Sequence, residues 1–165
     1  LSLEFNVPVK NIEALVMGGH GDTMVPLPRF TKISGKSIDQ LINNGKISKK
    51  RLEEIVQRTR DGGAEIIKLL EKGSAFYAPA ASGVEMAESY LKDLKKLLPC
   101  AAYLNGEYGF DKIYAGVPVI IGGKGVEKIE ELQLNEFEKK KFEHSINAVK
   151  GLWEDACKID RDLTK

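Results

Sequence analysis

The stretch "PCAAYLNGEYGFDKIYAGVPVIIGGKGVEKIEEL", residues 99–132, decides how the chain is built. "CAAYLNGEYG" reads as a strand carrying an Asn-Gly turn signal, the pair that two-residue hairpins favour. "KIYAGVPVIIGG" is a longer apolar strand, and "VEKIEEL" alternates apolar and charged residues over a short run. Turns this short join antiparallel neighbours, whereas parallel strands need long crossovers. Hairpin-linked strands 100–131 and helices segregated from them predict an α+β domain with antiparallel sheet and long helices, not a doubly wound one.

The flanking segments supply the helices. From Ser48 to Gly73, Leu52, Ile55, Val56, Thr59, Gly63, Ile66, Ile67 and Leu70 share one helical face, with Ser48 as N-cap and Gly73 as stop. Gly62-Gly63 inside that helix costs about 1 kcal/mol per residue relative to Ala, so a kink or a close backbone approach is expected there. Ala80 to Leu98 (Val84, Ala87, Leu91, Leu94, Leu98) reads as a second amphipathic helix ended by Pro99. The closing helix starts at Asn135, which has capping-box spacing to Glu138. Its stripe of Phe142, Ile146, Val149, Trp153 and Ala156 is expected to face a core. Near the start, "IEALVMGG" (12–19) reads as a buried strand, and Pro26 and Pro28 confine the next segment to an edge.

Composition narrows the function classes. The chain has 165 residues, 25 basic and 24 acidic, for a net charge of +1, and no concentrated basic face of the kind nucleic-acid binders carry. Lys139-Lys140-Lys141 is flanked by Glu136, Glu138 and Glu143 and reads as a solvated helix face. Cys100 and Cys157 are too few and too far apart for a disulfide framework or a metal site, so buried reduced thiols of a cytoplasmic protein are expected, with no metal. No run approaches the ~18 apolar residues of a membrane span, and no membrane partner is expected. "LSLEFNV" reads as the tail of a helix, which suggests a piece of something longer.

Glycine clusters invite a phosphate-loop reading, which fails on spacing. Before "GGKG" (122–125), a Walker loop needs glycine where Pro118 stands, and Gly125 follows Lys124 where Ser or Thr belongs. A dinucleotide fingerprint fails at Lys128 in that cluster and at Met24 in "GGHGDT". His144, in mid-helix with Lys140 and Ala148 four residues away on either side, has no metal-ligand spacing and reads as a surface histidine.

His20 stands apart. Gly18, Gly19 and Gly21 let the chain turn tightly and a substrate approach closely, and imidazole titrates near neutral pH. From the residues alone the reading stays open between an ordinary loop histidine and an acid–base group, because no orienting partner is evident; Asp22, two residues on, need not face the ring.

"GGHGDTMVPLPR", "GSAFYAPAASGVEMAESYLKD" and "PCAAYLNGEYGFDKIYAGVPVIIG" together resemble the C-terminal, substrate-binding half of the lactate/malate dehydrogenase family, and within it the lactate-dehydrogenase-like bacterial malate-acting branch. The resemblance runs over essentially the whole chain and implies a single C-terminal domain over 1–165, without the Rossmann domain. It implies that His20 is catalytic, taking the proton of the substrate hydroxyl while a hydride passes to NAD. Gly19 and Gly21 match glycines that shape its loop. Ala75 falls where lactate-selective relatives carry threonine, which leaves room for the second carboxylate of malate or oxaloacetate. Pro79 falls beside the nicotinamide position, and Ser82 near the pocket. The resemblance further implies that NAD is bound by a preceding domain, which also carries the aspartate and arginine that orient histidine and substrate. This chain alone is then expected to be inactive and its parent a homo-oligomer, dimer or tetramer. Lactate or another 2-hydroxy acid, or a non-catalytic oligomerisation module, are the alternatives.

Overall fold

The computed structural model describes residues 1–164. Its elements run α1 (Ser2–Phe5), β1 (Ile12–Glu13), β2 (Val16–Met17), β3 (Val25–Pro26), β4 (Lys32–Ile33), β5 (Lys36–Ser37), α2 (Ile38–Asn43) and α3 (Lys49–Leu70). Then follow α4 (Tyr77–Leu91), β6 (Lys96–Asn105), β7 (Asp111–Gly122), β8 (Gly125–Ile129) and α5 (Glu136–Ile159), with short 3-10 turns between several of them. The mixture of helices and antiparallel sheet is the expected α+β class.

The chain divides into two compact units. The first comprises Leu1–Val16 and Pro26–Gly83, the second Met17–Val25 and the chain from Val84 onward. In the first unit β1, β4 and β5 form a small antiparallel sheet, with Ile12 opposite Ile33 and Ile33 opposite Lys36. Ile33, Ile38, Leu41 and Ile47 make its core, and Phe5, Ile12, Leu52 and Ile55 pack around them. Helix α3 begins where Ser48 Oγ accepts the Arg51 N–H at 3.1 Å, as its cap spacing predicts. Only its first half meets that core. Ile66, Ile67, Leu69 and Leu70 are exposed, so the apolar face continues past what the described residues cover. Gly62 and Gly63 produce neither a kink nor a close approach: the helix runs through them, and no heavy atom lies within 4 Å of where a Cβ would stand.

In the second unit β6, β7 and β8 form an antiparallel sheet in chain order. Ala102 and Leu104 on β6, with Ile113, Ala115, Val117, Val119 and Ile121 on β7, alternate into the core, while Tyr103 and Tyr114 pair ring to ring on the exposed face. The Ala80–Leu98 helix is corrected. Helix α4 starts at Tyr77 and stops at Leu91, and Lys96–Leu98 already belong to β6. Its leucine spacing was a continuation in sequence only, because Asp93 and Lys95 take left-handed backbone and turn the chain out of the helix. Pro99 therefore ends no helix. It sits in edge strand β6 opposite Pro118, and two residues without N–H fit there only as a non-hydrogen-bonded pair. Helix α5 opens with the expected capping box between Asn135 and Glu138. Phe142 and Ile146 are buried, but Trp153 is 54% exposed, so the stripe faces a core over its first half alone.

Candidate active site

Strand β2 delivers the chain to Gly18, whose φ of +88° is a backbone that residues with a Cβ rarely adopt. Gly18 meets Gly116 of β7 in a reciprocal pair of backbone hydrogen bonds. Each N–H donates to the other's carbonyl at 2.8 Å. A Cβ on Gly116 would lie 2.6 Å from the Gly18 carbonyl oxygen, so that close approach requires glycine. The next amide, of Gly19, donates to Ser145 Oγ on α5 at 2.7 Å. Val149 Cγ2 and Thr23 Oγ1 would lie 3.1 and 3.2 Å from a Cβ at Gly19.

His20 follows, in extended conformation at the head of a 3-10 turn, Gly21–Thr23, which the Met24 N–H closes onto the Gly21 carbonyl at 3.0 Å. Its side chain is exposed. Among the described residues no group is hydrogen-bonded to the ring, and no ion pair joins it to Asp22. The loop thus presents an accessible imidazole on a backbone that is held from behind, with nothing among the described residues fixing the ring's tautomer.

Gly19 and His20 belong to the second unit, whereas Ala75, Pro79 and Ser82 belong to the first. Ala75 is half-buried just before α4, Pro79 is the third residue of that helix, where a missing N–H costs nothing, and Ser82 is exposed on it. The first unit's apolar cavity, lined by Leu15, Leu27, Ile38, Leu52 and Ile55 among others, holds no titratable side chain and none of these three.

In both glycine clusters the first amides are already taken. At the β7–β8 turn Gly123 N–H donates to the Asp93 carboxylate at 2.7 Å and Lys124 N–H to that of Glu127 at 3.4 Å. Acidic side chains already occupy the turn, which disfavours an anion. In the His20 loop Gly18 and Gly19 amides are taken by Gly116 and Ser145. Those four amides are not open to a dinucleotide phosphate.

Sequence reading missed Gly116, Ser145 and Val149. The signals were there: a lone glycine in an apolar strand marks a close backbone approach, and Ser145 is a polar residue beside Phe142 and Ile146 on a buried stripe.

Residues 1–158 match the family model described as lactate/malate dehydrogenase, alpha/beta C-terminal domain. The chain is 76% identical over all 165 residues to a malate dehydrogenase of Pelagibacter ubique (strain HTCC1062), of which it covers 52%. Among solved structures it resembles malate dehydrogenase from Salinibacter ruber (TM-score 0.89, 46% identity, 99% of this chain and 52% of that one). It also resembles lactate dehydrogenase from Eimeria maxima with NADH and oxamate (TM-score 0.92, 43% identity, 97% and 50%). The chain spans about half the length of the curated relatives it matches.

Proposed function

Since the chain belongs to the lactate/malate dehydrogenase family, as its alpha/beta C-terminal domain, we propose that it is the proton-transferring half of an NAD-dependent malate dehydrogenase. The observation that carries this reading is the exposed His20 imidazole on a loop whose two preceding amides are hydrogen-bonded to distant elements. In oxidation of a 2-hydroxy acid, an imidazole nitrogen of His20 takes the hydroxyl proton. In the reverse direction it returns that proton to the keto oxygen. Such general acid–base help is worth roughly 10²–10⁴ in rate. The ring has no orienting partner among the described residues, which fits an aspartate supplied by the preceding half, with the substrate-clamping arginine beside it. The occupied Gly18, Gly19, Gly123 and Lys124 amides fit a cofactor held by that half as well. On this reading residues 1–165 act as one C-terminal domain, inactive alone.

Malate and oxaloacetate are favoured over lactate and pyruvate by the 76% identity to a protein named malate dehydrogenase and by the small Ala75. The exposed apolar end of α3 supports a homo-oligomeric parent. No helix among the described residues is long and apolar enough to cross a membrane, and the two free thiols are compatible with the cytoplasm. The test assays the full-length parent with NADH on oxaloacetate and pyruvate. Oxaloacetate is expected to turn over faster; faster pyruvate turnover would reassign the substrate. In the same protein His20→Asn is expected to lower kcat/KM by about 10²–10⁴ with NADH affinity retained. Full activity in that variant would remove His20 from the mechanism.

A further inference from the structure

We propose that Ser145 is a positioning residue for His20, acting through the Gly19 amide; the proposal rests on the reading of His20 as the proton carrier. The loop poses a physical problem that its own sequence cannot solve. Glycines at 18, 19 and 21 give it more backbone freedom than any other residues would. A proton-transferring ring, in contrast, must be held within roughly 0.5 Å and 10–20° of its working geometry. Rigidity therefore has to come from elsewhere in the second unit.

Two elements supply it. Gly116 fixes the Gly18 peptide through the reciprocal backbone pair. The Gly19 N–H, on the same peptide unit as the Gly18 carbonyl, points to Ser145 Oγ at 2.7 Å. Ser145 is itself immobile. It is fully buried on α5, a helix pinned at its start by the Asn135–Glu138 capping box. One turn before Ser145, Phe142 is held edge-on by the rings of Tyr108 and Phe110. The next residue, Ile146, is fully buried as well. The hydroxyl is thus a fixed acceptor for the last amide before His20's own, and together with Gly116 it grips the Gly18–Gly19 peptide on both sides, leaving the Gly19 and His20 torsions to set the ring. Replacing it with a group that accepts no hydrogen bond leaves that peptide held on its carbonyl side alone, and a displacement of about 1 Å at the ring can cost 10²-fold in rate.

The experiment uses the full-length parent with NADH and its 2-keto acid. Ser145→Thr and Ser145→Val have the same shape and differ only in the hydroxyl, so strain from the extra methyl cancels between them. S145T is expected to exceed S145V in kcat by at least about 10-fold, with KM and NADH affinity changed by less than about twofold. S145A is expected to behave like S145V. Ser89→Ala is the stability control. Ser89 is the other fully buried serine of the unit, accepting the Lys96 N–H and donating to the Ile121 carbonyl. S89A is expected to lower Tm at least as much as S145A while keeping wild-type kcat at 25 °C. Equal kcat for S145T and S145V, or wild-type kcat in S145A at 25 °C, would overturn the positioning role with the proton-carrier reading intact. A wild-type parent inactive on both oxaloacetate and pyruvate would overturn that reading and this inference together.

Discussion

The His20 loop and the helical stretch 62–83 are both glycine-rich, and they use glycine for opposite reasons. In the loop, Gly18 has a positive φ and Gly116 approaches its carbonyl so closely that no Cβ fits between them. In the stretch, Gly62, Gly63 and Gly83 lie in helices with nothing within 4 Å of a built Cβ. One region is glycine because space and backbone demand it. Those three positions carry no such demand among the described residues, unlike the turn glycine Gly73 between the helices with φ +91°, and the exposed Ile66, Ile67, Leu69 and Leu70 mark a face that the described residues leave uncovered. A count of glycines cannot separate the two cases; contacts can.

The largest effect should come from Gly116→Ala. The atom it would strike is backbone, 2.6 Å away, and yielding means breaking a reciprocal hydrogen-bond pair. Overpacking and the lost bonds together are expected to cost about 3 kcal/mol or more, read by chemical denaturation of the parent. Gly21→Ala is the graded comparison. Its φ is +83° but nothing stands within 4 Å, so only the backbone penalty of about 1–2 kcal/mol applies. Equal costs at the two positions would mean that the Gly18–Gly116 contact contributes nothing of its own.

Much of this architecture was legible in the sequence where local chemistry decides it. The Ser48 and Asn135 caps, the 99–132 meander and the α+β class follow from turn residues, capping spacing and alternation. The extent of α4 was not legible, because leucine spacing persists to Leu98 while the backbone leaves the helix after Leu91 and re-enters a strand through Pro99. His20 stood out as a candidate by its glycines and its chemistry. The clamp behind it did not, since Gly116 and Ser145 lie 96 or more residues away and reach the loop only through tertiary contact.

A smaller effect of opposite sign tests the other half of the comparison. In an open helix, Ala in place of Gly restricts the unfolded chain, so Gly62→Ala and Gly63→Ala are each expected to stabilise the parent by about 0.5–1 kcal/mol. The pair should raise Tm by a few degrees. A fall in Tm instead would mean that another surface of the assembled parent lies against this helix face, and that both regions need glycine for closeness.

The smallest effect concerns charge at the edge of the first unit. Arg51 donates Nε and Nη2 to the Glu4 carboxylate at 2.8–3.1 Å, and that hydrogen bonding, with the guanidinium's charge, holds Glu4 below the usual carboxylate range. Arg58 does the same for Glu65. A carboxyl whose pKa is lower in the folded than in the unfolded chain binds fewer protons when folded. Its contribution is present above the unfolded value of about 4.3 and is lost as pH falls through the folded value. Both pairs are exposed, so water and salt screen them. Glu4→Gln should therefore lower Tm by no more than about 2 °C at pH 7, less in high salt, with the difference from wild type vanishing as pH falls below 4. A Tm difference that persists at low pH or in 1 M salt would show that Glu4 acts through packing, and the charge account of this edge would be wrong.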